Sequence, residues 1–261
     1  MHTKPRTLSE STALHTIADQ MDHLFRAMLS SDDALRTPKC FRYITGQPHP
    51  LGNLAIFSRD ATPDDIARDA AALRDAPLPT AILFLDEGTP AQRAAASALG
   101  FHHAESMPAM SVTPATLAST TMPDGYAIRE VGPDDAESWS IAMSDGYGVP
   151  RGIGSLFGID RAAQRLPGAL RYFAAEHKGR MVATSTLCLH DGLAGIYCVA
   201  TLPDHRGKGL GAHLTAEPLR TAWGMGYTTG VLQASEMGAP VYTRIGFRTH
   251  GHMELLVRIP Q

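Results

Sequence analysis

Between Val199 and Ala212 the chain reads Val-Ala-Thr-Leu-Pro-Asp-His-Arg-Gly-Lys-Gly-Leu-Gly-Ala, an extended stretch running into a glycine-rich turn that opens a helix. Such a turn binds anions. The first amides of a helix have no intrahelical acceptor, the macrodipole places about half a positive charge on them, and glycines at 207, 209 and 211 let an anion come close to the backbone. Arg206 and Lys208 add positive side chains beside those amides, and a guanidinium can make paired hydrogen bonds to phosphate oxygens. A phosphate-bearing ligand is therefore expected here.

Composition narrows what that ligand can be. The 261 residues carry a net charge of -3 and contain no block of basic residues, so the footprint of a nucleic-acid or anionic-membrane binder is missing and a small-molecule partner is expected. Cys40, Cys188 and Cys198 are widely spaced, with no Cys-x-x-Cys pair, which argues against a disulfide framework or zinc knuckle and fits a reducing cytoplasm. No metal site is expected. The N-terminus has no basic segment followed by an apolar stretch, and no apolar run reaches the roughly 18 residues of a membrane span.

The elements that must position the turn follow from periodicity. A Ser/Thr/Pro-rich linker at 113–123 divides the chain, with a helix over 10–36 and a buried strand over 81–85 before it. After it come a strand at 126–131, a helix starting at Pro133, strands at 170–175 and 181–189 joined by the turn 177–180, and a strand at 195–201. A helix from 209 to 223, a strand at 229–234, a short helix at 240–245 and a strand at 253–259 complete the order, with a flexible loop at 148–154. This is an α/β chain with a mixed sheet, and the turn sits at the carboxyl end of a strand, where open α/β sheets place ligands. Pro218 falls inside the second helix of that series and should kink it. The two halves echo each other: Ala81–Glu87, Pro90 and Leu99-Gly100-Phe101 parallel Gly230–Glu236, Pro240 and Ile245-Gly246-Phe247. The earlier copy lacks a counterpart of Arg206–Gly211 and has Ala96 where the later one has Tyr242, so chemistry is expected in the second half of a duplicated chain.

Three phosphate-binding patterns compete for the turn. The nucleoside triphosphate loop fails because Gly207-Lys208 is followed by glycine. The dinucleotide fingerprint is met formally by Gly207, Gly209 and Ala212, with Glu236 as a ribose ligand, but too little chain remains for a doubly wound sheet. The third pattern, Arg-x-x-Gly-x-Gly, is met by Arg206, Gly209 and Gly211. With Pro203, the preceding strand and the later Ser235–Phe247 segment, it makes residues 123–261 resemble the GNAT superfamily of acyl-CoA-dependent N-acetyltransferases.

That resemblance implies tandem GNAT-like domains: a degenerate one with its linker over 1–122 and a catalytic one over 123–261, with splayed parallel strands at the coenzyme A site. It implies acetyl-CoA as co-substrate, held by the backbone of Val199 and Thr201 along the pantetheine arm and by the amides of Gly207, Lys208, Gly209, Leu210 and Gly211, with Arg206, around the diphosphate. Ser235 stands where the family often carries an Asn on the same arm. Tyr242 is the expected general acid, donating to the departing thiolate; the competing reading is packing against Phe247. The acceptor is a primary amine on a small molecule or peptide, and its general base is left open among Tyr197, His190, Asp191, Glu176 and water. Cys198 lies beside the thioester position but reads as a core thiol, His250-x-His252 as an exposed strand end, and Arg151 as a solvated charge near the substrate entrance. Alternatives are a non-catalytic coenzyme A sensor or structural module and, further off, a dinucleotide-dependent oxidoreductase.

Overall fold

The computed structural model describes residues 8–29 and 34–260. In chain order it contains α1 (Ala13–Met28), β1 (Leu35–Arg36), β2 (Cys40–Ile44), β3 (Asn53–Phe57), α2 (Pro63–Asp69), α3 (Ala71–Asp75), β4 (Thr80–Phe84), α4 (Pro90–Ala98) and β5 (His102–Val112). It continues with β6 (Tyr126–Val131), α5 (Ala136–Tyr147), α6 (Arg151–Leu156), α7 (Ile159–Arg165), β7 (Leu170–His177), β8 (Arg180–His190), β9 (Leu193–Thr201), α8 (Leu210–Gly224), β10 (Gly230–Gln233), α9 (Ala239–Arg244) and β11 (Arg248–Arg258). Among the described residues no helix is long and apolar enough to cross a membrane.

All the strands join one mixed sheet in the order β1-β2-β3-β4-β11-β5-β10-β9-β8-β7-β6. The two halves have traded their last strands. β5 leaves the first half to pair antiparallel with β10, and β11 leaves the second to lie between β4 and β5. Glu254 on β11 is buried at this seam, taking hydrogen bonds from Arg93 Nε at 2.8 Å and the Gly88 amide at 3.1 Å, with His103 Nδ1 at 3.2 Å.

Helices cover both faces, as strand alternation requires. Leu54 and Ile56 on β3 join Leu24 and Met28 of α1 in the same core cluster as Trp139 of α5, whereas Ala55 and Phe57 pack with Ile66 and Leu73 beneath α2 and α3. α8 covers the second half's other face through Leu210, Leu214 and Leu219. α8 continues through the buried Pro218, whose missing N-H costs one hydrogen bond that packing must offset.

Two expectations need correction. The first helix ends at Met28, Leu35–Arg36 is a strand, and residues 30–33 lie outside the described residues. The stretch taken as a flexible loop at 148–154 becomes helix α6 from Arg151 onward. Gly152 and Gly154 argue against helix by propensity, but both are pressed closely, Gly152 by Gln47 and Gly154 by Ser140 and Ser144, so packing overrides propensity.

Candidate active site

The sheet opens where the anion-binding turn was expected. β9 and β10 run parallel but pair only at Ala194 with Gly230 and Gly195 with Val231. Beyond Gly195 the rest of β9, including Val199 and Thr201, diverges from β10. In the first half the corresponding parallel pair, β3 and β4, stays joined from Leu54–Ala81 to Phe57–Phe84. The open V thus belongs to the second half.

A bulge shapes the diverging arm. Register passes from Thr186–Tyr197 to Thr184–Ala200, so Cys198 and Val199 together oppose Ser185, and Cys198 takes φ of 52°. Such a bulge bends the strand and re-aims its backbone. The Cys198 carbonyl accepts from Thr184 Oγ1 at 3.0 Å. Both arms of the V are also braced from the first half: Tyr197 donates to Gln20 Oε1 at 2.7 Å, and Gln233 Nε2 to the Ile17 carbonyl at 3.0 Å, both partners lying on α1.

At the end of β9, residues 206–209 are exposed and lead into α8. Gly207 and Gly209 adopt φ of 73° and 81°, the left-handed region that disfavours side chains, and an added Cβ at either would meet open space. α8 has no side-chain cap and no acidic residue in its first turn, so its leading amides stay available to a ligand. The first half shows the opposite arrangement. α2 follows β3 at the equivalent place, but Thr62 and Asp65 close a capping box there and Asp64 adds a second carboxylate, filling with negative charge the place an anion would take.

The side chain of Arg206 is not aimed at the turn. Its Nε donates to the Thr201 carbonyl at 3.1 Å and its Nη2 to the Gly146 carbonyl at 2.8 Å, tying the loop to the end of α5. Gly146 permits this closeness, since a Cβ there would lie 2.9 Å from that of Ala200. Leu210 is buried in the core while Gly211 is half-buried. Exposed Ser235 accepts from the Gly238 amide at 3.1 Å, shaping the entry to α9.

Tyr242 rises from α9 with its ring edge-on to Phe247 at 5.8 Å. Burial pushes its phenol up to about 12, a hydrogen bond with Thr215 pulling the other way. A second phenol, which sequence reasoning missed, reaches the same place from the opposite side of the sheet. Tyr147 ends α5; it keeps 48% of its surface open, yet burial of its hydroxyl end, with Cys198 and Tyr242 close by, pushes the phenol well above its ordinary value. Its only signal in the sequence was an aromatic at the helix end, just before Gly148. Burial likewise pushes the Cys198 thiol up to about 12, which leaves it protonated and a poor nucleophile at neutral pH.

Other candidates have partners elsewhere. Glu176 pairs with Arg129 at 2.8 Å, His190 stacks on His23 with ring centroids 3.5 Å apart, and Asp191 sits in the turn after β8. Arg151 pairs with Asp145 at 3.0 Å. His250 meets Ser111 Oγ at 2.7 Å and His252 lies 3.7 Å from Glu87. Among the described residues no group of three or more His, Cys, Asp or Glu side chains is arranged to hold a metal ion.

Residues 168–249 match the model of the acetyltransferase (GNAT) domain. That stretch is similar to a GNAT domain. The matched segment spans β7 to the start of β11 without a break and contains the V, the turn and Tyr242. A protein named mycothiol acetyltransferase from Streptomyces griseus is 32% identical over 163 residues, covering 57% of this chain and 51% of that protein. The chain spans about half the length of the curated relatives it matches. A GCN5-related N-acetyltransferase structure from Kribbella flavida superposes with a TM-score of 0.64 at 20% identity, covering 94% of this chain and 95% of that one. A tandem GNAT protein of the clavulanic acid biosynthesis pathway gives a TM-score of 0.55 at 12% identity, covering 97% of each chain. At such identities the structural likeness concerns the fold, which is the mixed α/β fold expected from sequence.

Proposed function

We propose that the second half, residues 123–261, transfers an acetyl group from acetyl-CoA to a primary amine by direct attack, and that residues 1–122 brace the site without binding coenzyme A. The observation that carries this reading is the asymmetry between the halves. Uncapped amides at α8 stand beside an open V, whereas an acidic capping box at α2 stands beside a closed strand pair.

In this reading the amides at 207–211 hold the diphosphate of coenzyme A, and the pantetheine arm runs up the V along Val199 and Thr201. Thr201 has its carbonyl engaged by Arg206, so Arg206 acts by fixing the loop. The thioester then lies at the bulge, between the phenols of Tyr242 and Tyr147. Attack by the neutral amine forms the new C-N bond as the C-S bond breaks. The departing thiolate, whose thiol titrates near about 8.5, takes a proton from the Tyr242 hydroxyl. The engagement of Glu176 with Arg129 and of His190 with His23 favours removal of the amine proton through water. For Ser235, the hydrogen bond to Gly238 leaves only a supporting part.

The names of the Streptomyces relatives point to a small-molecule amine as the acceptor class. Release of free thiol from acetyl-CoA, followed against an amine library, tests the reading directly. Acceptor-dependent release is expected, together with thermal stabilisation by coenzyme A. Stabilisation by NAD but not by coenzyme A would instead favour the dinucleotide fingerprint, and stabilisation by coenzyme A without any turnover would favour a binding module.

A further inference from the structure

One charged patch beside the turn remains unexplained by acetyl transfer. Among the described residues many arginines pair with carboxylates, for example Arg129 with Asp135, Arg171 with Glu130 and Arg220 with Glu217. At the end of the sheet where β9 runs into the turn, the pattern changes. Arg180 at the start of β8 and Lys208 inside the turn are exposed, and among the described residues neither has a carboxylate within ion-pair distance.

Aromatic groups organise the patch. Lys208 Nζ lies 2.9 Å from the Tyr126 hydroxyl, with the ammonium 5.5 Å from that ring's centroid. The same hydroxyl lies 2.9 Å from His205 Nδ1. His177 stacks on Tyr126 at 4.5 Å and is fixed by Nδ1 at 2.9 Å from the Gly125 carbonyl. Withdrawal from water, then the positive neighbours Lys208 and His177, hold the His205 imidazole below its ordinary value, with Asp204 opposing and Arg180 adding to the effect. Arg180 and His205 also line an open cavity of about 490 Å³ between Pro203 and the end of α5, the two carboxylates of its lining being Asp145, already paired with Arg151, and Asp204. A platform of phenol and imidazole rings with two carboxylate-free cations at its rim is suited to a compact dianion.

Resting on the coenzyme A reading above, we infer that Arg180, His205 and Lys208 form a phosphomonoester subsite that receives the ribose 3′-phosphate of coenzyme A. The chemistry fits the location. The 3′-phosphate hangs from the ribose joined to the diphosphate, so a ligand whose diphosphate lies on residues 207–211 carries its second anion to the immediate neighbourhood of that turn. Lys208 belongs to the turn, and His205 precedes Gly207 by two residues. The subsite makes the protein selective for coenzyme A over dinucleotides and other diphosphates that lack the monoester.

Calorimetric titration of the whole chain with coenzyme A and with 3′-dephospho-coenzyme A tests this, in the unaltered protein and in Arg180→Ala, His205→Ala and the double variant, all of which leave residues 207–211 as they are. Charge-assisted contacts at an exposed site predict that the unaltered chain binds coenzyme A about tenfold or more tightly than the dephospho form. The double variant should bring coenzyme A down to the dephospho level while leaving dephospho binding within about threefold. Arg180→Ala alone, which leaves Tyr126 and the turn untouched, should lose part of the preference, separating charge from fold. Equal affinity for both ligands in the unaltered chain, or equal weakening of both in the double variant, would overturn the subsite and leave the coenzyme A reading standing. If neither ligand binds the unaltered chain, the reading of the turn fails and the subsite with it.

Discussion

Replacing Gly209 by alanine separates the fold from the site. Gly209 sits at φ of 81° and ψ of 3°, and a Cβ there meets nothing within 4 Å. The cost to folding is therefore conformational only, about 1–2 kcal/mol for an L residue held left-handed. For a chain of this size that lowers Tm by roughly 2–8 °C. The cost to binding is of another order, because the methyl group stands in the space through which an anion reaches the α8 amides. Losing two charge-assisted hydrogen bonds at about 1.5–3 kcal/mol each raises Kd for coenzyme A by at least about a hundredfold. Thermal melts with and without ligand, combined with calorimetry, read both quantities from one protein. A variant that melts a few degrees lower yet binds coenzyme A within about threefold of the unaltered chain would show that the diphosphate does not lie on this turn.

Three further outcomes follow from the same geometry. Tyr242→Phe should lower kcat by about 10²–10⁴ with KM for acetyl-CoA nearly unchanged. Because the phenol is raised to about 12 it stays protonated through ordinary assay pH, so an alkaline limb near pH 9 that disappears in the Phe variant would refute its assignment. Cys198→Ala should keep turnover within a few-fold, since a thiol raised to about 12 offers little thiolate; mass-spectrometric detection of acetyl on Cys198 during turnover would revive a covalent route. Burial pushes the Glu254 carboxyl up, but Arg93, the Gly88 amide and His103 outweigh it and hold the group below its ordinary value. A lowered carboxylate contributes stability above its unfolded pKa of about 4.3 and loses it as pH falls further. Glu254→Gln should therefore cost about 2 kcal/mol at pH 7 and progressively less as pH falls below about 4.3, and a gap between the two melting curves that stays constant or widens on acidification would sink that account.

The second half was largely legible in the sequence because its signals are local. Glycines at 207, 209 and 211, the hairpin turn at 177–180 and the apolar spacing of Leu210, Leu214 and Leu219 each report on neighbours a few residues away. What escaped depends on distant chain. Nothing near Arg206 says that its guanidinium will be taken by the carbonyls of Thr201 and Gly146 rather than kept for a phosphate. Likewise Gln20 looks like a polar residue on an amphipathic helix until Tyr197, far along the chain, is folded against it. α6 escaped for the converse reason: its two glycines carry a poor local propensity that contacts with Gln47 and Ser140 overrule. The traded strands left no mark in the local sequence, since only the whole sheet decides which strands β5 and β11 lie beside.

That trade has a consequence for how the protein is made. β4 finds its lasting neighbour in residues 248–258, so during synthesis the earlier portion keeps a raw sheet edge until those residues leave the ribosome. β5, meanwhile, must wait for β10 to be translated. Maturation of the nascent polypeptide is thereby postponed to a late, concerted closure, and a stalled or clipped product would present the sticky edge that invites self-association.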